Sequence, residues 1–310
     1  MKHFIIKNFK SYFVIYLITN ILIVGITSSV LSQEDGYAFD IYQAATSAEE
    51  MRHIVQSQLE KSPTHAAEIM ALAIAVKPEY TTVIVQTILA FVPAQSVEKV
   101  ITAAVQAAPE QISSIISSAI STLPEQTATI VAAAIAAAPH HVDTVIDAAV
   151  STAPERISEI VQAGIQAAPK QTTTVVSAAV KAAPPFAAEV VEAAIVVAPS
   201  EAVAIVTAAT VIVPQEAANI ARAAVSVASD QATDIVAAIV AAAPAFSSEI
   251  VHAAVDAANS IDQASTIGAT ITEPTANPLS QISGGDRPLD DNRQPDDLIT
   301  SAPQPASISQ

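Results

Sequence analysis

The pair His140–His141, followed by Asp143 and Asp147, comes nearest in this chain to a metal-ligand set. Imidazole and carboxylate together suit a divalent cation, but the spacing does not. Neighbouring histidines on a helix point in different directions, and His141 and Asp147 are six apart, not the three or four that share a helix face. His53, His65 and His252 each stand alone. Serines such as Ser113 and Ser114 recur without the His–Asp partners that activate a hydroxyl nucleophile. Glu189 and Glu192 read as solubilising charge. Thr172, Thr173 and Thr174, with Thr127, Thr129 and Thr144, raise an ice-binding array, but the polar positions mix Glu, Gln, Ser, Lys and Asp.

Composition removes further chemistries. With no cysteine there is no disulfide, thiolate metal site or cysteine nucleophile. Six glycines, never clustered as a phosphate loop requires, exclude that motif. The acidic residues are too dispersed for a calcium loop. Thirteen basic against 30 acidic residues give a net charge of −17, the wrong sign for neutralising phosphates, so no nucleic-acid partner is expected. No catalytic, cofactor-binding or metal residue is assigned, and the chain reads as not an enzyme.

What must position any surface chemistry is a repeat. Prolines stand at Pro63, Pro78, Pro93, Pro109, Pro124, Pro139, Pro154, Pro169, Pro184, Pro199, Pro214 and Pro244. Every gap is 15 residues except one of 16 (Pro93 to Pro109) and one of 30, within which Ser229 fills the vacant slot. Counting the proline as position 1, position 7 is Ile or Val in the units other than that of Pro93 (Ile69, Ile84, Ile115, Ile160, Ile250). Position 8 is mostly Val, Ile or Met, position 11 mostly Ala, and position 12 Ile, Val or Leu except at Thr210. Polar residues concentrate at positions 2, 6, 9 and 13, as in Glu155, Glu159, Gln162 and Gln166. Adjacent apolar pairs do not alternate as a strand would, and the period is that of an amphipathic helix.

Proline cannot donate a hydrogen bond within a helix and pushes the preceding residue out of the α region, yet it fits the first helical position without loss. Each unit is therefore expected to be one helix of about 11 to 12 residues, with about three more turning the chain. Helices this short are marginal in water, so they must lean on one another. The fold class expected is all-α, an α-solenoid of short antiparallel helices, one per 15-residue Pro-initiated repeat. The array is placed at residues 48–270, with 48–62 as its polar N-terminal cap repeat, opened by a capping box of Ser47 and Glu50. Asn259 occupies a proline slot, after which the pattern decays.

The flanks differ in kind. Residues 1–32 carry Lys2, Lys7 and Lys10, then an apolar run over 12–30, then a small residue at Ser32. That is the order of a signal peptide; left uncleaved, residues 12–30 would be a membrane anchor. Residues 33–47 read as a linker, and residues 271–310, rich in Pro, Ser, Asp and Gln, as a disordered tail. The expectation is a secreted or periplasmic, cell-envelope protein with no membrane contact other than residues 12–30. Its role is that of an exported non-catalytic structural or scaffold protein of the envelope or extracellular matrix, self-associating or contacting protein partners. The alternative is a solenoid module binding a peptide or envelope partner, with Tyr80, Phe91, Phe186 and Phe246 as its few aromatic anchors.

Overall fold

The structure, a computed structural model, describes residues 33–260; the expected signal peptide and tail lie outside them. Fifteen α-helices follow one another: α1 Gln33–Ala44, α2 Ala48–Lys61, α3 Ala66–Val76, α4 Thr81–Leu89, α5 Val97–Ala107, α6 Ile112–Thr122, α7 Thr127–Ala137, α8 Val142–Thr152, α9 Ile157–Ala167, α10 Thr172–Ala182, α11 Ala187–Val197, α12 Ala202–Ile212, α13 Ala217–Val227, α14 Ala232–Ala242 and α15 Ser247–Ser260. No strand occurs among the described residues.

The chain turns in less space than the sequence suggests. Proline opens a three-residue 3₁₀ turn, as in Pro154–Arg156, and the α-helix runs from position 4 to position 14. A single junction residue, position 15, joins one helix to the next. From Ser62 to Ala243 every junction except Pro93 has φ between −129° and −146° and ψ between 58° and 74°. Its two polar groups are both used. Ala153 donates its N–H to the Ala149 carbonyl at 2.9 Å, and its own carbonyl accepts the Arg156 N–H at 3.0 Å. The junction needs no glycine because φ stays negative. Between Pro214–Val227 and Ser229–Ala242 the direction changes by 119°, short of the antiparallel reversal expected.

Proline is not indispensable to the break. Ala228, which precedes Ser229, holds φ −136° and ψ 58°, within 2° of the pre-proline junctions. At Asn259 α15 runs through the slot to Ser260.

Packing is solenoid-like and has a period of two units. Most helices pack on their chain neighbours, and all pack more extensively on the helix two units away. The result is two layers: α2, α4, α6, α8, α10, α12 and α14 in one, the odd-numbered helices in the other. Within a layer, N-terminal turns lie beside N-terminal turns. Arg156 reaches Glu125, Ser158 reaches Glu189, and Gln171 and Gln231 donate to the carbonyls of Pro139 and Pro199 at 2.9 and 3.1 Å. Helices two apart therefore run parallel and in register.

Positions 4, 7, 8, 11 and 12 form one continuous core along the array. Gly164 shows how tight position 11 is: a Cβ there would stand 2.8 Å from Ile146 Cδ1, behind it in the chain, and 3.1 Å from Val175 Cγ1, ahead of it. Position 8 thus meets the unit that follows, and position 7 the unit that precedes. Thr210 puts a hydroxyl at position 12 with no hydrogen-bond partner, a burial that costs about 1–3 kcal/mol. The buried threonines at position 4 avoid this. Thr81, Thr127 and Thr172 donate to the position-1 carbonyls of Pro78, Pro124 and Pro169 at 2.7 to 2.9 Å.

Three expectations are corrected. Residues 33–47, read as a linker, carry α1, whose Tyr42 is buried. The 16-residue unit is not the one after Pro93: Pro93 takes the junction place (φ −70°, ψ 153°) and Ala94 takes position 1. The extra residue lies in the unit of Pro78, where α4 stops at Leu89 and Phe91 is left 54% exposed. Gln162 at position 9, assigned to the wet face, is half-buried, whereas Gln166 at position 13 is exposed.

Two outcomes follow. Ala149→Leu overfills fully buried position 11 and lowers stability by about 1–3 kcal/mol, while Gln166→Leu stays within about 0.5 kcal/mol of the parent, both read from chemical denaturation. Pro169→Ser keeps the helical circular dichroism signal and costs only about 0.4–1 kcal/mol, the unfolded-chain effect of proline, because the junction geometry is held by the neighbours.

Candidate functional site

Hydroxyl side chains concentrate on three successive helices of the even layer. In the even layer, positions 5, 6, 9 and 13 carry Ser113, Ser114, Ser117 and Ser121 on α6, Thr144 and Ser151 on α8, and Thr173, Thr174 and Ser177 on α10. In the odd layer, position 6 carries Glu68, Glu159, Glu189 and Glu249, with Glu192 and Asp256 further along. Helices two apart are layer neighbours, so the hydroxyls of α6, α8 and α10 adjoin, as do Glu159 and Glu189, while Lys99, Thr129 and Asn219 hold position 6 on α5, α7 and α13.

Two surface grooves lie between helices of the even layer. One, of about 590 Å³, separates α8 from α10 and is lined by Asp143, Thr144, Asp147, Thr173, Thr174 and Lys181, with Ser177 and Ala178 below. Asp143 and Asp147 share a face one turn apart, and Thr144 leans on Asp143 at 3.5 Å. Lys181 makes no ion pair among the described residues. The other, of about 380 Å³, lies between the turn at Pro78 and α6 and includes Glu79, Thr82, Gln111 and Ser114. Both are open, hydroxyl-lined troughs that can hydrogen-bond a polar surface. Neither pairs a nucleophile with a base.

The residues singled out by type scatter. His140 and His141 lie exposed in a turn before α8, where the 3₁₀ helix of other units does not form, and His141 donates only its backbone N–H, to Ala138. Among the described residues no three His, Asp or Glu side chains converge as metal ligands do. His252 stands 3.7 Å from Asp256, an exposed i, i+4 pair. Glu189 accepts the Ser158 hydroxyl at 2.8 Å, and Glu192 faces solvent. The threonines divide: Thr127 and Thr172 are buried, Thr129 belongs to the odd layer, and Thr144, Thr173 and Thr174 meet in the groove. Phe186 is 37% exposed, while Tyr80 and Phe246 are half-buried against the core.

Residue type did not reveal the polar bridge along the odd layer. Arg156 donates to Glu159 at 3.1 Å and to Glu125 at 2.5 Å, and these hydrogen bonds, Glu159's first, hold its guanidinium above its ordinary value. Glu159 also accepts the Ala128 N–H at 3.2 Å, in the first turn of α7, where a carboxylate favours the helix dipole. A position-2 Glu opposite a position-3 Arg thirty-one residues on was the available signal.

At the N-terminal end Ser47 accepts the Glu50 N–H at 3.2 Å, as a capping box requires. The Glu50 carboxylate reaches back to Thr46, accepting its N–H at 2.7 Å and its hydroxyl at 2.8 Å. Burial pushes the neighbouring Tyr42 phenol up to about 12.

No protein-family model, curated protein or solved structure matches the chain.

Glu50 supplies a pH test. The Thr46 N–H, then the Thr46 hydroxyl, hold its carboxyl below its ordinary value of 4.5. A depressed folded-state value means stability that is present above the unfolded value and lost as pH falls through the folded one. Glu50→Gln should therefore melt below the parent at neutral pH, and the two melting temperatures should converge in acid, as thermal melts across the pH range would show.

Proposed function

We propose that this protein is an exported, non-catalytic structural scaffold of the cell envelope or extracellular matrix. The observation that carries this reading is the constancy of the junction: every link from Ser62 to Ala243 except that at Pro93 repeats one backbone geometry. An array stepped this evenly suits fixed spacing. The layers supply a way to assemble. Copies can approach side by side through the hydroxyls that α6, α8 and α10 present next to one another. The basic and apolar order of residues 1–32 supports export.

Static light scattering of the processed protein over a concentration series tests this, with mass expected to rise above that of one chain. A strict monomer at the highest concentration would remove the assembly role. One observation favours the second reading, a module for a protein partner: Phe91, the most exposed aromatic described, sits in the 16-residue unit, and such side chains anchor interfaces. That strictly monomeric outcome would leave this reading standing.

A further inference from the structure

Positions 5, 6, 9 and 13 of the even layer hold only Ser, Thr, Asp or Lys on α6, α8 and α10. On α12 they are Val203, Ala204, Thr207 and Val211, and the helix carries no charged residue from Ala202 to Ile212. Val203 is 41% exposed and Val211 65%. The Thr207 hydroxyl is already spent on its own helix, donating to the Val203 carbonyl at 2.7 Å. The layer neighbour α14 adds exposed Ala237 and Ala241. The other strongly exposed valine, Val196, belongs to α11 in the odd layer, where exposed Glu189 and Glu192 precede it. The apolar surface is therefore confined to the even layer at α12 and α14, and patches of this kind mark interaction sites.

We propose that a second copy of this chain docks face to face on α10, α12 and α14, with the α12 valines at the centre. Charge selects this occupant. At positions 5, 6, 9 and 13 of these three helices Lys181 and Asp234 are the only charges, one of each sign. Two copies of a chain with net charge −17 meet there without opposing rows of carboxylates. A bilayer surface is held by several basic and aromatic residues around an apolar helix face; the three helices hold one basic residue, Lys181, and no aromatic. Symmetry fits as well, because a two-fold axis buries the same patch on both copies. Val203 and Val211 lie four residues to either side of Thr207. An axis through Thr207 that sets the two α12 helices antiparallel brings each Val203 opposite the Val211 of the other copy. Three helices about 17 Å long and about 10 Å apart offer roughly 500 Å² per copy, about 1,000 Å² in all, the lower limit of a specific interface. The dimer is therefore weak and fills with rising concentration.

The occupant rests on the assembly reading above, and analytical ultracentrifugation of the full chain over a concentration series tells the two apart. The parent should dimerise as concentration rises. Val211→Glu, at an exposed position, should keep the helical circular dichroism signal and weaken dimerisation by about tenfold or more, while Gln166→Glu, which adds the same charge to the odd layer, should leave it within about twofold. A parent that never exceeds the mass of one chain removes the assembly reading and this proposal with it. A parent that dimerises no better than Val211→Glu, or no better than Gln166→Glu, overturns this proposal alone. So does a parent that binds phosphatidylcholine vesicles through Val211 in place of dimerising, which would assign the face to a lipid surface.

Discussion

An eleven-residue helix of alanine and β-branched residues does not hold together in water by itself, and each helix here is supported from both sides along the array. Position 7 reaches back, positions 8 and 12 reach forward, and small position 11 lets the two contacts come close. A leucine-rich core would fill the same space with wider helix separations. Ala, Val and Ile have few rotamers to lose on burial, and they let helices approach to the lower end of the ~8–10 Å range. The cost is sensitivity: Gly164 has its neighbours at 2.8 and 3.1 Å from a missing methyl, so the array has little slack to absorb an extra carbon.

Proline acts mainly against an alternative. The junction conformation recurs at Ala228 without a proline after it, so packing of the flanking helices is enough to set it. What proline removes is the competing continuous helix, which this alanine-rich sequence would otherwise favour. Asn259 illustrates that competitor: it stands in a proline slot, and α15 continues through it. Pro93 shows the complementary case. Displaced by one residue, it occupies the junction itself with its own backbone geometry, and the following unit regains register from Ala94, with Val100, Ile101 and Val105 at positions 7, 8 and 12.

The helices, their boundaries and most of the core could be read from proline spacing and the apolar pattern, because both follow from local geometry. The two-layer arrangement could not be read the same way. Core positions meet equivalent residues in either layer, so Ile, Val and Ala repeat every fifteen residues and conceal which helices are neighbours. The turn of 119° likewise depends on how helices settle against each other. Residues 33–47 escaped notice because α1 replaces the Ile–Val pair with Phe39 and Asp40 at positions 7 and 8, and buries Tyr42 instead. Among the candidate site residues, Thr144, Thr173 and Thr174 meet only because α8 and α10 are layer neighbours, a relation that spacing within one helix does not reveal.

The surface was free to follow a longer period than the core. A side chain at position 6 meets solvent and the same-layer helix thirty residues away, not the adjacent unit, so its chemistry is coupled along a layer and uncoupled across the two. Glu159 and Glu189 make the point: each bonds a first-turn group of the helix two units earlier, a backbone N–H in one case and a hydroxyl in the other. Carboxylates placed there support the N-terminus they face. One repeat therefore yields two surfaces because stacking by alternate helices separates neighbours in space from neighbours in sequence.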